Sequence, residues 1–437
     1  MIRRCSRRRG HVGFPKFIAR SAPAAAELGR SAVKNIGWIM WMRFGVTALL
    51  YLSFAAGPGL ATEYFVAPAP LGDEANPATR ERPRADAQAV IWGMKPGDTL
   101  TLLPGTYTKG FTFAKSGTPE LPITVRAVGT GVVIDGSGES TGGFDKSLIS
   151  ISANHVILEG LQLKRSPGWG VSVWGKHHVT IRNNTITESW HGGINAAFTD
   201  LTTVHDIAIE NNTLRGNCRS NAEHKSLGGW PASITLGGSQ CKIAGNLVEQ
   251  GNGEGIAIGG DGIAVEKNVV QNHFSACIYL DNATRCVVRE NFAYQGKDAP
   301  YYSAGKEPGY LSDGRSISTG IQLANEKTFH GKSNPCADNV IEKNTVSGAK
   351  AGFYFGEYQK GGGMKRCMIR DNLFLNGYVE LIHIDPSSGH EGNQFTGNRF
   401  MQTSDRPWAN FKDVAPGLVW TRNEWMGQSS PTWGGSR

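Results

Sequence analysis

The sequence predicts an all-β solenoid, a single-stranded right-handed parallel β-helix with loops inserted between its coils. Three observations carry this. A six-residue pattern, apolar-x-apolar-x-x-Asn, recurs along the chain. A second segment of strict period-2 alternation follows each copy, which is the strand signal. Glycine is abundant (57 residues) and charge sparse (19%), which suits a turn-rich β protein.

The first segment runs Val179-Thr-Ile181-Arg-Asn-Asn184, Ile207-Ala-Ile209-Glu-Asn-Asn212, Cys241-Lys-Ile243-Ala-Gly-Asn246 and Ile263-Ala-Val265-Glu-Lys-Asn268. It continues as Cys286-Val-Val288-Arg-Glu-Asn291, Asn339-Val-Ile341-Glu-Lys-Asn344 and Cys367-Met-Ile369-Arg-Asp-Asn372, with a degenerate copy at Asn393-Gln-Phe395-Thr-Gly-Asn398. The closest spacings, Asn246 to Asn268 and Asn268 to Asn291, are 22 and 23 residues; longer ones imply inserted loops. A unit this short cannot bury its apolar face alone, and stacking buries it. The Asn residues are then expected to form a side-chain ladder at a turn.

The second segment runs from Gly170-Val-Ser-Val-Trp174 through Gly193-Ile-Asn-Ala-Ala197, Ser233-Ile-Thr-Leu-Gly237 and Gly255-Ile-Ala-Ile-Gly259. It goes on through Cys277-Ile-Tyr-Leu-Asp281, Gly320-Ile-Gln-Leu-Ala324 and Gly352-Phe-Tyr-Phe-Gly356 to Leu381-Ile-His-Ile-Asp385. In register, Val171/Val173 through Ile382/Ile384 form two apolar columns facing inward. Cys241, Cys286 and Cys367 share an inward position two or more coils apart, at about 4.8 Å per coil. They are therefore expected as buried free thiols rather than partners of one another.

Residues 1–61 read as a basic extension followed by a signal peptide or signal-anchor. They hold ten Lys/Arg and one acidic residue, which leaves 35 basic against 36 acidic residues in the remainder. The basic character therefore belongs to the leader, and the rest carries no footprint for nucleic acid. Met42-Arg43, the apolar run Phe44 to Ala56 and the small residues ending Gly59-Leu60-Ala61 have the layout of a secretory signal. A chain secreted or periplasmic is expected. Uncleaved, residues 36–61 would anchor it, and a membrane would be met only there. Met42 is an alternative translation start. The β-helix is expected over residues 62–406, with 407–437 as a C-terminal cap or tail.

This pattern resembles the pectate-lyase-like superfamily of right-handed parallel β-helix (PbH1 repeat) proteins. The opening Tyr64-Phe-Val-Ala-Pro68, Lys95-Pro-Gly-Asp98, Pro104-Gly-Thr-Tyr107 and Pro122-Ile-Thr-Val125 is similar to the first coils of secreted alginate lyase/chondroitinase B-type proteins. The resemblance, over roughly residues 63–400, implies a polysaccharide partner. It does not extend to catalytic motifs: Glu254-Gly-Ile-Ala-Ile-Gly-Gly260 lacks the group's lysine, and no Arg-His-Gly follows.

Candidate chemistry lies on the outward positions of the second segment. One column is Ser172, Asn195, Thr235, Ala257, Tyr279, Gln322, Tyr354 and His383; the next includes Asp281 and Asp385, with Glu326 and Glu357 just beyond. Acids beside aromatic rings suit a sugar chain, since rings stack on its apolar faces. Hydrolysis of a glycoside needs two carboxyl groups, and Asp281, Glu326 and Glu357 are the catalytic candidates. Tyr279, Tyr354, Gln322, Trp190, Trp230, His383 and Asp385 are candidates for substrate binding, with Tyr301, Tyr302 and Tyr310 on an inserted wall. A polysaccharide lyase would instead need cations and a base, for which Arg219, His224 and Lys225 are the candidates. The residues single out no particular cofactor; Asp261, Asp281 and Asp385 form a candidate Ca²⁺ set. The alternative to an enzyme is a non-catalytic carbohydrate-binding, structural or adhesive surface β-helix.

Overall fold

The computed structural model describes residues 61–143, 145–196, 203–222, 231–296, 318–326, 336–403, 409–411 and 417–427. The coil at Val179 shows the plan. Val179–Arg182 is followed by a turn at Asn184, the three-residue strand Thr185–Thr187, a corner at Trp190 and the strand Gly192–Ala196. Corresponding strands stack in parallel into three sheets, of thirteen, twelve and eleven strands among the described residues. The first runs from Glu63–Val66 to Leu418–Thr421, the second from Gly105–Tyr107 to Glu424–Gly427, and the third from Phe111–Phe113 to Ala409–Phe411. The protein is the expected right-handed parallel β-helix.

Register follows the sequence pattern. Val179 pairs with Ile207, Ile186 with Leu214, and Ile194 with Ile234. Val171, Ile194, Ile234, Ile256, Ile278, Ile321, Phe353 and Ile382 form one wholly buried column, as expected. The strand after each Asn is the element that the two-segment reading did not contain. It is only three residues long, with one inward residue such as Ile186, Leu214 or Val248.

The Asn ladder runs unbroken from Asn184 through Asn212, Asn246, Asn268, Asn291, Asn344, Asn372 and Asn398 to Asn423. Each side-chain amide donates to the next Asn Oδ1 at 2.9–3.0 Å. The outward faces of the first sheet carry cross-coil ion pairs such as Arg182–Glu159 and Arg289–Glu266, both 2.6 Å. Solvent screens exposed pairs of this kind, so they add little to stability.

The helix Ala87–Gly93, capped by Asp86, buries Ala87, Val90 and Ile91 against the first coils of the core. At the other end, Ala409–Phe411, Leu418–Thr421 and Glu424–Gly427 pair onto the preceding strands of all three sheets. The stretch expected only as a cap from residue 407 therefore contains a further coil. Its Trp420 and Trp425 stack on Phe395 and Phe400, with centroids 4.2 and 4.4 Å apart. Six cysteines are described, and all are buried free thiols. Burial pushes Cys241 up to about 11 and Cys286 up to about 12. Cys336, from a coil with an inserted loop, comes within hydrogen-bonding contact of Cys367.

Candidate active site on the third sheet

The outer face of the third sheet holds the column read from the sequence. Ser172, Asn195, Thr235, Ala257, Tyr279, Gln322, Tyr354 and His383 are cross-strand partners in that order. Tyr279 lies among Ala276, Ala324 and Ala257, a small apolar floor outside the core. Alternation slips at the start of each strand. A Cβ on Gly255 would lie 2.4 Å from Val270 Cγ1, so this position faces inward and only glycine fits. The residue before it, Glu254, is then turned out toward the site.

Three carboxyl groups from three successive coils act on one another here. Tyr279 Oη donates to Glu326 Oε1 at 2.5 Å. Asp281 Oδ1 accepts from the Glu326 N–H at 3.3 Å and from the Asn282 amide, which also donates to the Glu326 carbonyl at 2.6 Å. Burial, and then the charge of Glu326, push Asp281 up to about 7. Burial, followed by the charges of Glu326 and Asp281, holds Glu254 well above the carboxylate range. The Tyr279 phenol is likewise driven far up by burial and the neighbouring acids, so it stays a donor. Mutual repulsion in a buried cluster of this kind favours the protonated form of its members.

A second cluster sits on the same face further along. His383 lies between Glu380 Oε1 (2.7 Å, at Nδ1) and Asp385 Oδ1 (3.0 Å, at Nε2). Burial opposes its charge, but the bonds to Asp385 and Glu380 prevail and raise it to about 9. The Tyr354 ring stacks flat on the imidazole, with centroids 4.6 Å apart, and Lys350 Nζ lies 5.5 Å from the Tyr354 centroid. Gln322 stands between Tyr279 and Tyr354 in the column, accepting from Thr319 Oγ1 at 2.8 Å and donating to Tyr358 Oη at 3.3 Å.

Of the predicted residues, Asp281, Glu326 and Tyr279 come together, and Tyr354, His383 and Asp385 form the second group. Glu357 does not join Asp281. Its carboxylate accepts the Gly361 N–H at 2.8 Å within its own loop, and its N–H donates to Asp385 Oδ2 at 3.0 Å. Trp190 is 5% exposed and has Arg219 over its ring at 5.9 Å, so it offers no open face for a sugar. Trp230, His224, Lys225, Tyr301, Tyr302 and Tyr310 lie outside the described residues. The Ca²⁺ set is not assembled: Asp261 pairs with Arg285, Asp281 with the Glu326 amide and Asp385 with His383. Glu254, Glu380 and Tyr358 were not read from the sequence. Both glutamates stand just before an inward residue, Gly255 and Leu381, where the alternation slips.

The family described as "right handed beta helix region" matches residues 123–293. No curated protein matches the chain. Among solved structures, a family 136 lacto-N-biosidase of Eubacterium ramulus (selenomethionine form) aligns over 84% of this chain and 68% of its own, at 16% identity and TM-score 0.51. A mannuronic-acid-specific polysaccharide family 6 lyase from human gut microbiota aligns over 84% and 87%, at 14% identity and TM-score 0.51. The Dettilon tailspike protein aligns over 84% and 69%, at 14% identity and TM-score 0.52. These likenesses are of fold. They place the chain among right-handed parallel β-helix structures.

Proposed function

We propose that the protein is an exported glycan hydrolase, with Asp281 as general acid and Glu326 as the carboxylate that activates water. The observation that carries this is the environment of Asp281, buried beside Glu326 and raised to about 7. Asp281 Oδ1 is occupied as an acceptor, which leaves Oδ2 to carry the proton. That proton passes to the glycosidic oxygen as its bond to the anomeric carbon breaks. Water attacks that carbon and gives its own proton to Glu326. Tyr279, donating to Glu326 Oε1, fixes the direction in which that carboxylate points. Tyr354 stands two coils along the same column, about 10 Å away, in the direction a longer sugar chain would run.

The reading favours a neutral glycan over a uronate. Among the described residues, the charges acting on Asp281, Glu254 and Tyr279 are all carboxylates. An anionic sugar would be repelled there without a cation to meet it. Export rests on the layout of residues 42–61, and the N-terminus of protein recovered from the medium or periplasm would test it. For the reaction, the chain is incubated with neutral and uronate polysaccharides while reducing ends and the ultraviolet absorbance of unsaturated uronates are followed. New reducing ends without that absorbance support hydrolysis. Ends with it would transfer the chemistry to a lyase. Binding without new ends would leave a carbohydrate-binding surface.

A further inference from the structure

Four histidines and an aspartate gather at the corner between the third and first sheets, on coils that precede those of the acid cluster. His155, His178 and Asp206 hold one corner position. Their φ values are 55°, 55° and 52°, and each directly precedes the first residue of a first-sheet strand: Val156, Val179 and Ile207. His177 and His205 each stand one residue earlier. The solenoid thus brings side chains from three successive coils to one point.

The rings are arranged for coordination. His177 Nδ1 faces His178 Nδ1 at 2.8 Å, and the His155 ring centroid is 4.7 Å from that of His178. One ligand atom from each of His155, His177 and His178 lies within 4.8 Å of the others. On the far side, Asp206 Oδ2 is 3.7 Å from His178 Nε2 and 2.7 Å from His205 Nδ1. The His205 ring stacks on His177, with centroids 4.5 Å apart and planes 10° apart. The fold does not demand imidazoles here. On later coils Gln240, Gly262 and Arg285 take the same left-handed corner.

We infer that His155, His177 and His178 bind one divalent transition-metal ion of the imidazole-preferring class, Zn²⁺, Cu²⁺ or Ni²⁺, with Asp206 orienting His178 from behind. Neutral imidazoles suit these ions, and three protein ligands leave a fourth place for water. A ligating histidine commonly has a carboxylate on the side of its other ring nitrogen; Asp206, hydrogen-bonded to His205, lies 3.7 Å from His178 Nε2 on that side. The site is partly exposed, so an ion from the medium reaches it. Bound there, the ion ties the His155 coil to the next one, a staple on a scaffold that has no disulfide among its described residues.

The test uses the full chain without a polyhistidine tag, stripped with chelator and titrated calorimetrically with ZnCl₂, NiCl₂ or CuCl₂ at neutral pH. One equivalent should bind and raise Tm. His178→Ala should abolish binding, Asp206→Asn should weaken it by about 10–100-fold, and Asp281→Asn should leave it intact. X-ray absorption of the wild-type Zn²⁺ form should show imidazole scattering, a readout independent of how any variant folds. No saturable binding of the three ions, binding indifferent to His178→Ala, or a spectrum without imidazole would overturn the site. Loss on His205→Ala but not on His155→Ala would overturn the ligand assignment in favour of His178, His205 and Asp206.

Discussion

Burial and the charge of Glu326 both raise Asp281, to about 7, and Glu326 Oε1 accepts the Tyr279 hydroxyl. Asn in place of Asp281 keeps the shape and removes the transferable proton. Activity on the responsive glycan should fall by roughly 10²–10⁴-fold. In the wild type, kcat/KM should decline as pH rises through about 7, since the acid must be protonated to act. A flat profile across that range would remove Asp281 from the role. His383 makes a separate prediction, about stability. Its folded pKa, about 9, lies above the unfolded value of about 6.5. Its contribution is therefore complete below pH 6.5 and lost as pH rises through about 9. The difference is on the order of 3 kcal/mol. His383→Gln should flatten the urea-measured stability between those pH values, and an unchanged slope would show that the Glu380 and Asp385 contacts carry no such linkage. Both groups were visible in the sequence only in part. Tyr279, Asp281 and His383 could be read because strict alternation fixes which way they face. Glu254 and Glu380 could not, because the alternation slips one residue before Gly255 and Leu381 and the pattern alone assigns them to no face.

The Asn ladder is the element that locks one coil to the next. Asn268 donates to Asn291 Oδ1 and to the Ile243 carbonyl, and its own Oδ1 accepts the backbone N–H and the amide of Asn246. Asn268→Ala would leave several buried polar groups without partners, each costing about 1–3 kcal/mol. Chemical denaturation should show a loss of roughly 3 kcal/mol or more. Asn423→Ala, at the half-buried end of the ladder, should lose markedly less; equal losses would mean that the bonds do not act as a continuous column. The ladder could be read in the sequence because a single residue type recurs at a fixed offset from paired apolar positions. The strand after it could not: a polar-apolar-polar triplet such as Thr185–Thr187 is shorter than any window in which periodicity shows. Loops obey no period at all. Glu357 was placed with Asp281 by its distance past a strand end, yet the loop through Gly361 turns its carboxylate back on itself. Trp190 was read as a platform from its type, and the corner buries it.

At the scale of the molecule, a solenoid is held together by nearest-neighbour contacts, so stability is distributed along its axis. An inner coil such as that of Val179–Arg182 has partners above and below in every sheet, and the Asn ladder begins on it. The coil ending at Gly427 has a partner on one side among the described residues, and its Trp420 is half-buried on Phe395. Local opening should follow that gradient. Amide hydrogen exchange is therefore expected to be slowest over residues 179–294 and to quicken toward 418–427. Trp420→Ala removes a stacked ring worth about 0.5–1.5 kcal/mol beyond its burial. Because coupling passes only through the adjacent coil, the variant should speed exchange over 393–427 and leave 179–294 at the wild-type rate. Acceleration spread evenly over the whole helix would mean that the coils open as one cooperative body. The candidate active site would then share the fate of the terminal coil instead of resting on the more stable middle.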